Sequence, residues 1–452
     1  VSVIHFLKET FKEHETKDAM VWRAQTYSYR WILERIEFWR EKIHSWAIHP
    51  GRVIFFKADF SPDSVSLFLA LTERRCILVP MTDAAESEQA ERMSVSQAET
   101  LIALGPEGVY AAHALPNHAE AGLYERLRKE DHPGLVLFSS GSSGTPKAVV
   151  HDLNALLEKF KVKRPCRRTL LFLLFDHIGG LNTMFHTLSN GGCLVTVEDR
   201  SPYGVLDLIE KYSVEVLPAT PTFLNMILLS GAYENRDLSC LKLVTYGTEP
   251  MSESTLKKFH EAFPGTELLQ TYGLSELGIL RSKSKSSDSL WVKVGGEGFE
   301  TRVVDGILQI RAQSAMLGYL NAPNPFTEDG WFITNDAVET DGEYLRILGR
   351  KSDWINVGGQ KVNPVEVESV IREMPEVADV TVYAGRNYLL GHYVCAKILA
   401  KTHVEDPGIF IKSLKRFCAG RLEAYKVPVK VEFAKEETGI TARFKKARSA
   451  HA

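Results

Sequence analysis

Between Ser28 and Trp46 apolar side chains return at helical spacing, and shortly afterwards four come without a break, Val53-Ile54-Phe55-Phe56. The first pattern predicts an amphipathic helix and the second a strand buried on both faces. Residues 1–130 mix these two kinds of segment. From 135 to 250 the alternation becomes regular: Leu135 to Phe138, Leu170 to Phe175, Cys193 to Val197, Val214 to Leu217 and Leu241 to Tyr246 read as strands separated by helical stretches. That order predicts parallel α/β layers. From about residue 291 to 348 short strands are punctuated by Gly turns (Phe299 to Val304, Ile307 to Arg311, Tyr344 to Leu348), which predicts a small antiparallel sheet or barrel. The Ser- and Lys-rich run from Arg281 to Ser289 reads as a mobile surface loop. A second unit begins near Gly349-Arg350, with a helix from Pro364 to Glu373, strands from Val377 to Ala384 and from Tyr393 to Ala400, and a helix from Pro407 to Ala419. It has the size of a small α+β domain.

Composition narrows the class. The 452 residues are about three domains' worth of chain, 44% hydrophobic and 25% charged, as in ordinary globular proteins. A net charge of −3 leaves no basic footprint for nucleic acid or an anionic membrane surface. The six cysteines contain no C-x-x-C pair, so neither a zinc site nor a disulfide framework is suggested, and a reducing compartment fits. No apolar run is long enough to span a bilayer and no signal-peptide pattern opens the chain, so the expected location is cytoplasmic.

The chemistry concentrates after Phe138. Ser139, Ser140, Gly141, Ser142, Ser143, Gly144 and Thr145 place five hydroxyls and two glycines in seven residues, with Lys147 close behind. Small residues let backbone N–H groups approach an anion, hydroxyls add donors, and the lysine supplies a point charge: a phosphate cradle. It is not of the Walker type, which needs Gly before the lysine where Pro146 stands here. Gln270-Thr271-Tyr272-Gly273-Leu274-Ser275-Glu276 puts an aromatic face, a hydroxyl and a carboxylate at one strand end, and Tyr246-Gly247-Thr248-Glu249-Pro250 closes the preceding strand in a similar way. Ligands of open α/β sheets bind at such carboxyl ends. Further on, Asp336 follows Thr334-Asn335, and Arg350 stands in Gly349-Arg350-Lys351-Ser352-Asp353; a carboxylate and a guanidinium suit the hydroxyls of a ribose.

Together these stretches resemble the adenylate-forming superfamily of acyl-CoA synthetases, peptide-synthetase adenylation domains and luciferases. Ser139 to Lys147 is similar to its [ST]-S-G-[ST]-[ST]-G-x-P-K loop, Tyr272 to Glu276 to Y-G-x-[ST]-E, Gly318-Tyr319-Leu320-Asn321 to G-Y-x-N, and Gly349-Arg350 with Asp353 to a G-R-x-x-D hinge. The resemblance runs over nearly the whole chain. It implies an α/β fold: a large N-terminal domain (1–348) of two α/β subdomains plus a small β-barrel, a hinge (349–353), and a small mobile α+β lid domain (354–452).

The resemblance also implies roles. Ser139 to Lys147 would grip the β- and γ-phosphates of ATP, and Tyr272 would stack on adenine with Gly247, Thr248 and Glu249 along the base. Gln270, Thr271 and Gly273 would complete that wall. Ser275 would contact the α-phosphate, Glu276 would hold Mg²⁺, and Asp336 and Arg350 would bind the ribose. His177, in an H-x-x-G segment, would stand beside the acyl site. The catalytic lysine of T-x-x-G-K-x-x-R would be Lys445, with Lys446 its neighbour, although Phe444 replaces the Gly. After a domain rotation, Gly358, Gly359 and Lys361 would help shape a tunnel for a pantetheine arm.

The implied reaction is activation of a carboxylic acid with ATP to an acyl adenylate, releasing pyrophosphate, then transfer to the thiol of coenzyme A. Two alternatives stay open: transfer to the phosphopantetheine of an acyl carrier protein, and a non-catalytic nucleotide or acyl-adenylate binder, which Phe444 keeps in view. Phe175-Asp176 could stand where amino-acid-activating domains pair a substrate amine, but His177 with Gly180 fits the acyl-CoA form better. The expected substrate is therefore an acid without a free α-amine, and 452 residues, compact for the family, point to a small, aryl or medium-length one.

Overall fold

The computed structural model describes residues 2–82, 84–105, 110–139, 146–296, 298–387 and 391–434. The buried strand Val53–Lys57 shows how the layers arise. Val53 and Phe55 pack into one core while Ile54 and Phe56 pack into another, because successive strand side chains leave opposite faces. Leu135 and Leu137 divide from Val136 and Phe138 in the same way.

Two seven-stranded sheets result. One runs Glu267–Gln270, Leu243–Tyr246, Val216–Ala219, Arg168–Leu171, Cys193–Thr196, Asp18–Trp22, Gln25–Ser28, parallel throughout except for its last pair. The other runs Gly318–Tyr319, Lys147–Asp152, Gly134–Ser139, Ile77–Met81, Val53–Lys57, Thr100–Leu104, Tyr110–Ala114, with a parallel centre and antiparallel edges. The helices Tyr29–Ser45, Pro62–Glu73 and Ile178–Ser189 share one core with strands of both sheets. The first of these buries Tyr29, Ile32, Ile36, Trp39 and Ile43, a stripe at steps of three and four, and starts where the Ser28 hydroxyl accepts from Trp31 N.

A six-stranded antiparallel sheet follows, Ser282–Ser284, Trp291–Val294, Tyr344–Arg350, Phe332–Asp341, Ile307–Ala312, Phe299–Val304. The last sheet is built from Ile355–Val357, Gln360–Val362, Val377–Asn387, Gly391–Ala400 and Lys430–Phe433, packed on the helices Pro364–Ile371 and Pro407–Ala419 around a core of its own. The architecture is mixed α/β with a large N-terminal part and a small C-terminal one, as expected. Among the described residues no helix is long and apolar enough to cross a membrane.

Two sequence expectations change. The strand expected from Leu170 to Phe175 ends at Leu171, and Phe175 packs as an aromatic hub against Phe56, Phe60 and Phe68. The run Arg281–Ser289 is not a mobile loop. It contains the strand Ser282–Ser284, and its serines reach across to the outermost strand of the parallel sheet: Ser282 Oγ accepts from Tyr272 N at 3.2 Å, Ser284 Oγ from Gln270 N at 2.9 Å, and Ser287 Oγ from Leu268 N at 3.1 Å. Hydroxyls here take the place of strand carbonyls and satisfy an edge that would otherwise present unpaired N–H groups.

Candidate active site

The strands Gly134–Ser139 and Lys147–Asp152 are antiparallel partners with Ser139 opposite Lys147. They therefore bring the two ends of the Ser/Gly stretch together; Ser140, Gly141, Ser142, Ser143, Gly144 and Thr145 themselves lie outside the described residues, as does Lys445. The exit of the loop is clamped. Asn321 Oδ1 accepts from Ala148 N and its Nδ2 donates to Pro146 O, both at 2.9 Å, while Gly318–Tyr319 pairs with Val150 and Val149. This gives the Gly318-Tyr319-Leu320-Asn321 motif its physical content. Tyr319 then joins two candidate groups: Lys147 Nζ lies 5.3 Å from its ring centroid, and its phenol donates to Glu276 Oε1 at 2.8 Å. Burial and the neighbouring Glu276 push the phenol well up, which keeps it a donor.

Glu276 sits in a loop fixed from several directions. Gly273–Leu274 pairs with Gly278–Ile279 in a minimal antiparallel ladder. A Cβ at Gly273 would come within 2.5 Å of Ile279 Cδ1 and 2.8 Å of Gly278 O, so only glycine fits. Backbone carbonyls of the loop are capped from outside: Ser275 O by His151 Nε2 at 2.5 Å, Glu276 O by Met316 N at 2.7 Å, Leu277 O by Ser314 Oγ at 2.8 Å, and Ile279 O by Lys159 Nζ at 2.8 Å. His151 is wholly buried, and burial drives it down from 6.5 to about 4, so it is a neutral ring donating from Nε2. The side chain of Glu276 is 8% exposed and pairs with no lysine or arginine among the described residues. A hard, uncommitted carboxylate oxygen is the donor type that Mg²⁺ takes.

The nucleoside-binding candidates meet at the next strands. Asp336 lies opposite Arg350 across the antiparallel pair Phe332–Asp341 and Tyr344–Arg350, with Oδ1 3.8 Å from Arg350 Nε, and its Oδ2 accepts from the Tyr272 phenol. Burial raises Asp336 while Tyr272 and Arg350 oppose that shift. Thr334 Oγ1 donates to Leu308 O at 2.7 Å and accepts from Asp336 N at 3.0 Å, which fixes the turn. Asn335 between them has φ +59, a left-handed conformation in which Asn is the best-tolerated residue after Gly.

Along the other wall, a Cβ at Gly247 would stand 2.5 Å from Thr271 O, and Thr248 is held at φ +73, a strained state for a β-branched residue of the kind found at ligand sites. Glu249 Oε1 accepts from Thr222 N at 2.8 Å at the start of the helix Pro221–Ser230, so this carboxylate caps a helix. Gln270 and Tyr246 are register partners, and both Gln270 Oε1 and the Tyr246 hydroxyl are buried without a hydrogen-bond partner among the described residues.

His177 caps the helix Ile178–Ser189, its Nδ1 accepting from Gly179 N at 3.0 Å, which leaves the proton on Nε2. Gly180 is required by a close approach: a Cβ there would lie 2.0 Å from Leu174 O. Asp176 is buried, with Oδ2 3.6 Å from Arg92 Nη1. Gly358 (φ +56) and Gly359 (φ +90) form the turn between Ile355–Val357 and Gln360–Val362, where Lys361 is exposed. Among the described residues no hydrogen bond or ion pair joins these three to the Glu276 cluster.

Of the residues that sequence reasoning named, Tyr319 joins Lys147 to Glu276, while Tyr272, Asp336 and Arg350 form a second group of their own; Ser275 is held through its carbonyl by His151. That reasoning gave no role to Tyr319, Asn321, His151 or Lys159. The first two stood in a motif already visible, whereas the others carry no local signal.

Glu276 follows the carboxyl end of the parallel strand Glu267–Gln270, Lys147 reaches it through Tyr319, and the pair Asp336–Arg350 stands on antiparallel strands bridged to Tyr272, a set of groups suited to an anionic, hydroxyl-bearing ligand. The AMP-binding enzyme family matches residues 7–319, and the C-terminal domain of AMP-binding enzymes matches residues 366–445. The chain belongs to the AMP-binding enzyme family. It is 27% identical over 333 residues to an indoleacetate–CoA ligase of Aromatoleum aromaticum, a match covering 67% of this chain and 64% of that one, so it spans just under two thirds of that relative's length. It is also 27% identical over 376 residues to the fatty acid–[acyl-carrier-protein] ligase ScoC of Streptomyces coeruleorubidus, covering 76% and 71%. The fold is shared with the anthranilate CoA ligase AuaEII in complex with anthranoyl-AMP (TM-score 0.81, 20% identity, 99% of this chain and 95% of that one) and with ATP-bound MatB from Rhodopseudomonas palustris (0.79, 21%, 96% and 95%).

Proposed function

We propose that this chain activates a carboxylic acid with ATP, releasing pyrophosphate, and then passes the acyl group from the adenylate to the thiol of coenzyme A. The observation that carries the reading is the line Lys147, Tyr319, Glu276: one aromatic ring touches both the cation at the end of the phosphate-type loop and the carboxylate suited to a metal.

In the first step a carboxylate oxygen attacks the α-phosphorus and the bond to pyrophosphate breaks. Two anions must meet in line, so the work is alignment and charge neutralisation. Lys147 would steady the departing pyrophosphate, Ser275 would hydrogen-bond the α-phosphate, and Tyr272 would offer its ring to adenine while orienting Asp336 toward the ribose with Arg350. Mg²⁺ on Glu276 would supply positive charge between the phosphates. Lys445, the last residue matched by the C-terminal family domain, would bring the remaining cation. In the second step the thiol sulfur bonds to the acyl carbon and AMP departs, with Gly358, Gly359 and Lys361 along the approach.

The commitment of Asp176 to Arg92 supports an acid without a free α-amine. Because one relative is named as a ligase that uses an acyl carrier protein, a carrier-bound phosphopantetheine is the second reading for the acceptor. ATP–pyrophosphate exchange across aryl, short, medium and long acids, followed by addition of CoA or a holo-carrier, tests both. Lys445→Ala should lower exchange by roughly 10²–10³-fold, the effect of deleting one preorganised electrostatic group. Near-normal exchange in that variant would refute the assignment, and failure of every acid would favour a non-catalytic binder.

A further inference from the structure

A cavity of about 570 Å³ lies between the helix Ile178–Ser189, the segment that follows Glu276, and the strand carrying Lys293. Its charged lining is of one sign. Lys159, Arg164, Arg281, Lys283 and Lys293 face it together with His186, and none of the described lining residues is acidic. Lys293 is paired with Glu343 outside the lining. Lys159 is half-buried, and its head group is held inside: its Nζ donates to Asn182 Oδ1 at 2.6 Å and to Ile279 O at 2.8 Å, both neutral acceptors. Desolvation drives it down to about 7, and His186 is pushed down first by its own burial and then by the Lys159 charge. A desolvated amine with only neutral acceptors gains from an anion that arrives beside it and favours its charged form. The amide nitrogen of Asn182 is a further donor with no partner among the described residues, and Asn182 and His186 stand one turn apart on the same helix face.

Two elements build both this cavity and the proposed reaction centre. His177 caps the helix, and Ile279 and Leu280 come three and four residues after Glu276. Asn182 and His186 are five and nine residues beyond His177, so at the helical rise they stand roughly 8 and 14 Å from it. We propose that this cavity holds a second acidic group of the substrate, distal to the carboxylate that is activated. The substrate class is then an aromatic or medium-length dicarboxylic acid (or an acid ending in another small anion), longer than a malonate-sized one. The proposal rests on the acid-activation reading and adds the chemistry of the far end of the substrate.

The test is pyrophosphate release without CoA, using suberate, suberate monoamide and octanoate, and in parallel 4-carboxycinnamate and cinnamate. The expected result is kcat/KM for the doubly charged acids roughly 10- to 100-fold above their neutral-ended analogues, the range of a charge-assisted contact. Lys159→Met should bring that ratio to within about threefold. Because a half-buried lysine can matter for folding, Lys283→Glu at the exposed rim is a second variant, expected to lower the same ratio severalfold. If the monoacids and the amide are activated as well as the diacids, the proposal is overturned while acid activation stands; a cavity serving only the phosphates of CoA gives this result. If no acid of either kind releases pyrophosphate, both the proposal and the reading beneath it fail.

Discussion

His151 offers a test of how the Ser275–Glu276 loop is held. The ring is wholly buried and donates to Ser275 O, and its folded value lies near 4 against the ordinary 6.5. The gap of about 2.5 units corresponds to roughly 3 kcal/mol of stability. The sign follows from which state takes up the proton. Above pH 6.5 the ring is neutral in both states and nothing is lost. Between 6.5 and 4 the unfolded chain binds a proton that the folded chain refuses, so stability falls as pH falls. Roughly 2 kcal/mol of the term is gone by pH 5, and all of it below 4. His151→Gln keeps an N–H at similar reach and has no proton to gain. Urea unfolding of both proteins from pH 7.5 to 4.5, followed by tryptophan fluorescence, isolates the term, since every other titrating group cancels in the difference. The difference should be flat above pH 7 and move by about 2 kcal/mol in favour of the Gln variant toward pH 5. A pH-independent difference would refute the argument that this ring is buried neutral.

Tyr319→Phe removes the phenol on Glu276 but keeps the ring under Lys147; loss of a charge-assisted hydrogen bond of about 1.5–3 kcal/mol should cut pyrophosphate exchange roughly 10- to 100-fold and raise the Mg²⁺ concentration needed for half-maximal rate. Gly247→Ala forces a methyl to 2.5 Å from Thr271 O, and the melting curve should show destabilisation of about 1–3 kcal/mol. Asn335→Val, placing a branched side chain at φ +59, should cost about 1–2 kcal/mol in the same measurement, whereas Asn335→Gly should be nearly neutral.

What could be read from the sequence, and what could not, has a physical pattern. Unbroken apolar runs made Val53–Lys57 and Gly134–Ser139 visible as strands buried on both faces, and a Pro-started helix from Pro407 to Ala419 was marked at both ends by local chemistry. Lys147, Glu276 and Asp336 were legible because each sits in a short motif whose spacing the backbone demands. The run from Arg281 was misread because polarity dominated over the alternation of Ser282 and Ser284, which is the strand signal once hydroxyls are allowed to serve as ladder partners. Lys159 and His151 were illegible for another reason. One stands in a basic stretch that looks solvated, the other ends an apolar run, and each donates to a backbone carbonyl more than a hundred positions away.

The loop from Ser275 to Ile279 draws its supports from His151 and Lys159 upstream and from Ser314 and Met316 downstream. Synthesis therefore delivers the reactive segment well before the parts that give it shape. A nascent polypeptide that has reached Glu276 owns the letters of the motif but lacks the supports of its geometry until some forty further residues have emerged. A truncated product ending near residue 300 that still gripped ATP tightly would contradict this order of assembly.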